Sequence, residues 1–327
     1  MIKPYTLILG LALGCLLTAC GSDTSSTQAD ASSFPSKPIR IVIPFGPGGL
    51  ADVTMRLAGE PLGESLGQRL IMENRPGAGG VAATTTMLNA DADGYTLIVL
   101  TNGTSIAETL FTDLPYQVTE DLVPITAVAW FDLVLMANPD AGYNTLQELL
   151  AARGDNLRIA TINPGSTQNL TAELFTSLAS VNATIIPYRT TPDVLGALLR
   201  GEVDLAIDAY TALKGAIDNN QAKALAVTGE VRNPAMPEVP TALESGIENF
   251  VVTGWNALYA KAGTDPAIID RLHDEVEAVL ATQDIRDRFM ELGVEARATS
   301  PEDMQARLMA DIDKWRQVIE AAGIDTL

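Results

Sequence analysis

From Lys37 onward, short β-type apolar runs alternate with longer stretches whose apolar residues lie three or four positions apart. The first pattern is typical of buried strands and the second of amphipathic helices. The predicted strands are 39–44, 69–73, 96–100, 158–162, 184–187, 205–208 and 222–227. The predicted helices are 52–66, 81–88, 146–152, 167–178, 192–200 and 211–219, followed in the tail by 266–280, 285–292 and 301–322. This alternation predicts an α/β fold with helices covering largely parallel sheets.

Two longer apolar stretches, 123–137 and 250–260, interrupt the alternation and lack a helix start signal. We interpret them as extended segments that cross between two α/β domains. The predicted division is domain 1 over 35–135 and 256–327, and an inserted domain 2 over 136–255. Within the first predicted helix, Pro61 removes a backbone donor and is expected to kink or shorten it.

The N-terminus has the pattern of a bacterial lipoprotein signal. Residues 7–17 are almost continuously apolar, and Leu17-Thr18-Ala19-Cys20 resembles a lipobox, in which the cysteine is acylated. We predict a signal peptide over 1–19, lipidation at Cys20 and a flexible tether over 20–34. An ordinary cleaved signal with an incidental cysteine is the alternative. The acidic body offers a membrane no polybasic patch, so the lipid is the only expected attachment.

Charge and composition exclude several functions. The 327 residues include 21 Lys plus Arg and 41 Asp plus Glu, a formal net charge of −20, which argues against nucleic acid as a partner. Both cysteines, Cys15 and Cys20, lie in the N-terminal segment, so no disulfide or thiolate metal site is expected in the body. The single histidine, His273, cannot build a Ser-His-Asp triad or a histidine metal cluster. We predict no catalytic residue, no metal and no cofactor.

Three glycine-containing loops between a strand and a helix carry the candidate chemistry. They are 45–51, 75–80 and 163–169. Glycine lets backbone N–H groups approach a ligand closely, and a helix start adds partial positive charge, so such loops suit a carboxylate or phosphate. Asp52 is expected to cap the first helix and orient its loop.

Each loop also has an ordinary interpretation. The first can be a bare glycine turn, and in the third Ser166 or Thr167 can simply cap the following helix. The second matches a dinucleotide-binding fingerprint, but Arg75-Pro76 separates its glycines from the strand, so we discount that match.

An ordered series of motifs runs along the body from Phe34 to the C-terminus. They are Pro44-Phe45 with Gly48-Gly49 and Asp52, Glu73-Asn74-Arg75-Pro76-Gly77-Ala78-Gly79-Gly80, Asp93-Gly94-Tyr95-Thr96-Leu97, Gly201-Glu202-Val203-Asp204, Val239-Pro240-Thr241 and Gly254-Trp255. In this order the chain resembles the solute-binding proteins of tripartite tricarboxylate transporters, also called the Bug family.

This resemblance implies a type II periplasmic-binding-protein fold, with two α/β domains joined by two crossing strands around an interdomain cleft. It implies a monomeric periplasmic receptor without catalysis, which closes over a small carboxylate and delivers it to a membrane permease. The expected ligands are di- and tricarboxylates, acidic amino acids and aromatic acids. A ligand-binding partner of a sensor system, and a secreted carboxylate-processing enzyme, are the alternatives.

The resemblance also implies which residues contact the ligand. They are Phe45, Gly46, Gly48, Gly49, Ala51, Asp52, Gly77, Ala78, Gly79, Thr101, Asn102, Thr104, Gly165, Ser166, Thr167, Gln168 and Asp208. This chain departs from many members at Leu50-Ala51, which lacks a hydroxyl, at Gln168, where a His or aromatic residue is frequent, and at Arg189-Thr190-Thr191. Because of these departures, the identity of the ligand cannot be inherited from the family.

Overall fold

A computed structural model describes residues 33–152, 156–324 and 326. Its strands are β1 (Ile39–Ile43), β2 (Leu70–Asn74), β3 (Thr96–Thr101), β4 (Leu122–Ala137), β5 (Leu157–Ile162), β6 (Ala183–Tyr188), β7 (Leu205–Ala209), β8 (Lys223–Val227), β9 (Thr253–Lys261) and β10 (Val294–Ala296). Its helices are α1 (Leu50–Leu66), α2 (Val81–Leu88), α3 (Asn102–Leu110), α4 (Val118–Asp121), α5 (Leu146–Ala151), α6 (Thr167–Ala179), α7 (Thr191–Leu199), α8 (Tyr210–Asp218), α9 (Pro266–Leu280), α10 (Gln283–Glu291) and α11 (Pro301–Ala322).

The predicted signal peptide over 1–19, the lipidation site Cys20 and nearly all of the predicted tether lie outside the described residues. Phe34, which the sequence assigns to the end of the tether, is buried, and its ring lies 4.9 Å from that of Tyr95. The described fold therefore already includes this residue.

Helices α1 and α3 differ from the sequence prediction, and the one-turn helix α4 is also absent from it. Helix α1 begins at Leu50 rather than Asp52, and it passes Pro61 without interruption to end at Gly67, whose φ of 64° is left-handed. The buried face that includes Leu62 and Leu66 holds the helix together beyond the missing Pro61 donor. Helix α3 is absent from the prediction, because its Asn-Gly-Thr-Ser start has low helix propensity. A reciprocal capping box between Thr101 and Thr104 starts it.

The strands form one path in the order β2-β1-β3-β9-β4-β7-β5-β6, with β8 and β10 both paired to β4. Strand β4 is the link between two halves: residues 122–132 pair with β9, and residues 133–137 pair with β7. A second crossing follows β8, where the N–H of Val252 donates to the carbonyl of Thr228 at 2.9 Å. The predicted α/β class and the two crossing segments are confirmed. The domain boundaries at 135 and 256 stay predictions, and both lie close to these crossings.

Each half contains a parallel set of strands whose carboxyl ends meet at one edge. In the first half β1 is parallel to β2 and β3, and in the second β5 is parallel to β6 and β7. The loops that leave these strands therefore lie together in each half, at the edge where ligands bind in open α/β sheets.

A buried carboxylate fixes the C-terminal helix against the first half. Oδ2 of Asp311 on α11 accepts hydrogen bonds from Trp255 Nε1 at 2.6 Å, Arg307 Nε at 2.8 Å and Asn102 Nδ2 at 3.2 Å. Asn102 Oδ1 in turn accepts from the backbone N–H of Trp255. Helix α11, strand β9 and the start of α3 are thereby joined at one point.

Replacing this acceptor should destabilise the fold. In Asp311→Leu the indole N–H of Trp255 stays buried without a partner and Asn102 keeps only its longer bond to the carbonyl of Thr253, so we expect the free energy of unfolding to fall by about 2–4 kcal/mol. Urea unfolding followed by circular dichroism measures the change. The matched control is Asp313→Leu on the same helix, whose carboxylate is 63% exposed and pairs with Arg316; we expect a change below about 0.5 kcal/mol. Equal effects in the two variants would contradict the role of Asp311.

The crossing point of β4 contributes a pH dependence. Burial raises the pKa of Asp132 from 3.8 to about 6. A carboxyl group whose pKa is higher in the folded than in the unfolded protein costs stability once it ionises, that is, as the pH rises through its folded pKa. Asp132→Asn should raise the free energy of unfolding by about 1–3 kcal/mol near pH 7.5, and by less than about 1 kcal/mol near pH 4. Urea midpoints at both pH values test this, and an equal gain at both would contradict it.

Candidate functional site

Five of the described helices begin beside one cleft, each directly after a strand. They are α1 after β1, α2 after β2, α3 after β3, α6 after β5 and α7 after β6. The first turn of a helix has N–H groups without intrahelical partners and carries partial positive charge. Three of these turns come from the first half of the fold and two from the second, so the cleft is built to receive negative charge from both sides.

The main cavity of the cleft spans about 430 Å³ of space between atoms, part of which is open to solvent. It is lined by Phe45, Gly46, Gly49, Leu50, Ala51, Thr101, Phe131, Ile162, Thr167, Gln168, Arg189, Thr190, Thr191 and Asn256. A smaller cavity of about 250 Å³ shares Phe45 and Thr101 with it. The smaller one is otherwise lined by Pro44, Gly77, Gly79, Gly80, Gly103, Thr104, Asn163, Gly165 and Ser166.

The loops of the two halves touch across the cleft. The N–H of Gly79 donates to the carbonyl of Pro164 at 3.2 Å. Gly46 packs so closely on the opposite loop that a Cβ atom there would lie 2.5 Å from Cγ2 of Thr190. The cleft is therefore closed, and glycine at position 46 permits that closure.

Two side-chain amides supply free donors to the cavities. Nδ2 of Asn256 in the main cavity and Nδ2 of Asn163 in the smaller one are buried and have no hydrogen-bond partner among the described residues. Arg189, an exposed residue, also lies in the wall of the main cavity. Neither lining includes an Asp or Glu. Buried donors without protein acceptors point to a ligand that brings its own acceptors.

Most of the ligand contacts expected from the sequence lie in these walls. Those in the main cavity are Phe45, Gly46, Gly49, Ala51, Thr101, Thr167 and Gln168. Those in the smaller cavity are Gly77, Gly79, Thr104, Gly165 and Ser166, together with the shared Phe45 and Thr101. Ser166 also caps α6 by accepting from the N–H of Asn169, so this residue both caps the helix and lines the smaller cavity.

Gly48, Asp52, Ala78, Asn102 and Asp208 line neither cavity. Asp52 lies within the first turn of α1 and does not cap it as expected; its Oδ2 accepts from the N–H of Gly48 at 3.0 Å. Its Oδ1 accepts from Arg56 and Asn74. Burial acts to raise the pKa of Asp52, but hydrogen bonds from Arg56, Gly48 and Asn74 together hold it below its usual value. Asp52 therefore orients the loop from behind, as an ionised carboxylate.

Asn102 and Asp208 also act behind the cleft. The side chain of Asn102 donates to Asp311 and to the carbonyl of Thr253 and accepts from the N–H of Trp255, and the residue lines neither cavity. Asp208 is 1% exposed and accepts from Gln168 Nε2 at 2.9 Å. Burial raises its pKa, an effect that hydrogen bonds from Gln168, Ala209 and Thr191 partly offset.

The sequence prediction missed part of the wall. Phe131, Arg189, Thr190, Thr191 and Asn256 line the main cavity, although none was proposed as a contact. Arg189, Thr190 and Thr191 lie where β6 ends and α7 begins. This boundary could have indicated them, because it repeats the strand-to-helix arrangement of the three proposed loops. Phe131 and Asn256 lie inside the crossing strands, where no local sequence signal marks a ligand contact.

Within residues 33–152, 156–324 and 326, we also looked for a metal site, a membrane-spanning helix and a histidine at the cleft. No group of three or more His, Cys, Asp or Glu in that part of the chain could hold a metal ion. In the same residues no helix combines the length and apolar character needed to cross a membrane. His273 lies on α9, outside both cavities, with Nε2 3.2 Å from the carbonyl oxygen of Thr299.

Comparison with known proteins agrees with the family resemblance seen in the sequence. The family model described as "Tripartite tricarboxylate transporter family receptor" matches residues 54–324. The solved periplasmic binding protein BugD is 30% identical, with a TM-score of 0.85, covering 89% of this chain and 99% of its own. Two further structures carry ligands in their descriptions. MatC from Rhodopseudomonas palustris with malate is 31% identical, with a TM-score of 0.82, covering 88% of this chain and 100% of its own. Rpa4515 of R. palustris with adipate is 30% identical, with a TM-score of 0.86, covering 90% and 100%.

These similarities confirm the predicted fold class and the absence of an enzymatic role, because the family consists of solute-binding receptors. With most of the chain matched by the family model, and with the cleft at the facing strand ends, this chain belongs to the tripartite tricarboxylate transporter family of receptors.

Proposed function

We propose that this protein is a periplasmic receptor that binds a small dicarboxylate in its cleft and delivers it to a membrane permease. The observation that carries this proposal is the set of donors around the cleft. Five helix N-termini and two unpartnered amide groups surround it, and no Asp or Glu lies in either cavity wall. Such a wall donates hydrogen bonds to carboxylate oxygens and contains no negatively charged side chain that would repel them.

The net charge of −20 does not oppose this function. At physiological salt the Debye length is about 8 Å, so surface acids are largely screened, whereas donors within hydrogen-bond distance are not. Inside the wall, Arg189 is the charged residue, and its sign suits a second carboxylate near the mouth.

The relatives support a dicarboxylate in particular. MatC was solved with malate and Rpa4515 with adipate, and both acids have two carboxyl groups. The two adjoining cavities offer separate donor groups for the two ends of such a ligand. Permease delivery, a monomeric state and anchoring through a lipid on Cys20 complete the proposal, and they rest on the family and on the lipobox pattern.

Binding can be tested directly. A thermal-shift screen of mono-, di- and tricarboxylates and aromatic acids should show the largest stabilisation with dicarboxylates, since a ligand that binds the folded state raises its melting temperature. Isothermal titration should then give about one ligand per chain, and NMR of the recovered ligand should show it unchanged. Chemical alteration of the acid, or stabilisation by none of these acids, would contradict the proposal.

Closure of the cleft gives a second prediction. In Gly46→Ala the new Cβ would clash with the Cγ2 methyl of Thr190, which cannot rotate away unless the hydroxyl on the same carbon loses its bonds to Asp193. We expect binding of the best acid from the screen to weaken at least about tenfold, with the melting temperature of the free protein little changed. The matched control is Gly215→Ala, where a Cβ meets no atom within 4 Å. Gly49→Val should likewise abolish binding, and unaltered affinity in both cleft variants would remove this loop from the site.

A further inference from the structure

Gln168 and Asp208 form a buried pair at the wall of the main cavity. Gln168 lies in the first turn of α6 and is 8% exposed; Asp208 lies on β7 and is 1% exposed. Nε2 of Gln168 donates to Oδ1 of Asp208 at 2.9 Å, and the same oxygen accepts from the N–H of Ala209 at 2.8 Å. Gln168 reaches the cavity, whereas Asp208 lies behind it.

This pairing determines how the Gln168 amide is turned. Oδ1 of Asp208 accepts from both Nε2 of Gln168 and the N–H of Ala209, so Gln168 directs its NH₂ group, rather than its oxygen, toward Asp208. Among the described residues, none donates a hydrogen bond to Oε1 of Gln168. The amide oxygen is thus an acceptor without a protein donor, on a residue that lines the cavity.

The walls of the cleft combine donors with an acceptor on Gln168. The helix N-termini and the unpartnered amides of Asn163 and Asn256 present donors around the two cavities, which suit carboxylate oxygens. A ligand that places only carboxylate oxygens and methylene groups in the cavity leaves Oε1 of Gln168 without a partner. Leaving a desolvated acceptor unpaired costs free energy, and sites built around such a group discriminate strongly against analogues that lack the donor.

We propose that Asp208 is a positioning residue that holds the Gln168 amide with its oxygen available to the ligand, so that the cleft selects carboxylates bearing a hydroxyl or ammonium donor over unsubstituted acids. This inference rests on the proposed function and narrows its substrate class. Asp208 acts through Gln168 rather than by contact, because its carboxylate is not part of the cavity wall.

The surroundings of Asp208 support this division of roles. Its Oδ2 atom is buried and has no well-formed hydrogen bond among the described residues, although the Thr191 hydroxyl lies near enough to favour the charged form. A direct ligand contact would need Oδ2 to reach the cavity, but Gln168 and Thr191, which do line it, pack in front. Asp208 can therefore influence a ligand only through the Gln168 amide that it holds.

Three four-carbon dicarboxylates form a matched set for the test. Succinate has no donor besides its carboxyl groups, malate adds a hydroxyl and aspartate adds an ammonium. Isothermal titration at about pH 7.5 should show malate, aspartate or both binding at least about tenfold more tightly than succinate. The malate and aspartate arms separate the two kinds of donor, because the positive charge of Arg189, a residue of the same wall, disfavours an ammonium but not a hydroxyl.

Variants then assign the preference to the pair. Gln168→Leu removes the acceptor, and Asp208→Leu removes only the group that orients it; each should reduce the preference over succinate to about threefold or less. Asp208→Asn keeps an oxygen that can accept from both Gln168 and Ala209, so it should retain most of the preference. A role of Asp208 confined to folding would lower the melting temperature without changing the ratio of affinities.

The chain offers a matched control. Gln283 on α10 forms an exposed pair of the same kind, donating from Nε2 to Oδ1 of Asp287 at 2.7 Å. Gln283→Leu should leave all three affinities unchanged, and thermal unfolding of every variant reports whether it folds. If Asp208→Leu does not fold, the ratios in Gln168→Leu and Asp208→Asn decide.

The outcomes separate this inference from the proposed function. Equal binding of succinate, malate and aspartate by the unaltered protein overturns the inference alone, as does a preference that survives in folded Asp208→Leu or Gln168→Leu. Binding only of longer dicarboxylates such as adipate also overturns the inference and leaves the receptor function intact. Failure to bind any carboxylate overturns both.

Discussion

The backbone N–H groups in the first turn of an α-helix have no partner within that helix, and this protein directs five such turns at one cleft. The arrangement exists because parallel strands end at a common edge and each is followed by a helix. Partial positive charge is therefore supplied by the backbone, and the site needs few charged side chains. This explains how a chain with a net charge of −20 can bind an anion.

Side chains behind the cleft keep those turns in place. Asp52 holds the loop before α1 through the Gly48 N–H, and Asp311 joins α11 to Trp255 and Asn102 at the start of α3. Both carboxylates accept several hydrogen bonds, which offsets the cost of burying their charge. Asp208 belongs to the same group by position, but its bond goes to a residue of the wall itself. That difference makes it a means of setting specificity rather than only rigidity.

Particular elements show how far sequence reasoning reaches here. Strands 39–44 and 158–162, and the glycine loops that follow them, were predicted because apolar runs bounded by glycine and proline are local signals. Helix α3 was missed because its start depends on a capping box that outweighs weak propensity. The family resemblance placed Asn102 in the pocket, yet its amide turns inward to Asp311, which lies 209 positions away in the chain.

The sequence by itself determined the α/β class, the crossing segments and the glycine loops that line the cleft, because apolar period, glycine and helix starts are properties of neighbouring residues. It also determined the motifs that identify the family. Only the tertiary structure decided which polar groups face the cleft and which brace it from behind, as the contrast between Gln168 and Asp208 shows. The physical reason is that a hydrogen bond depends on atoms brought together by the fold, and the distances along the chain carry no record of that pairing.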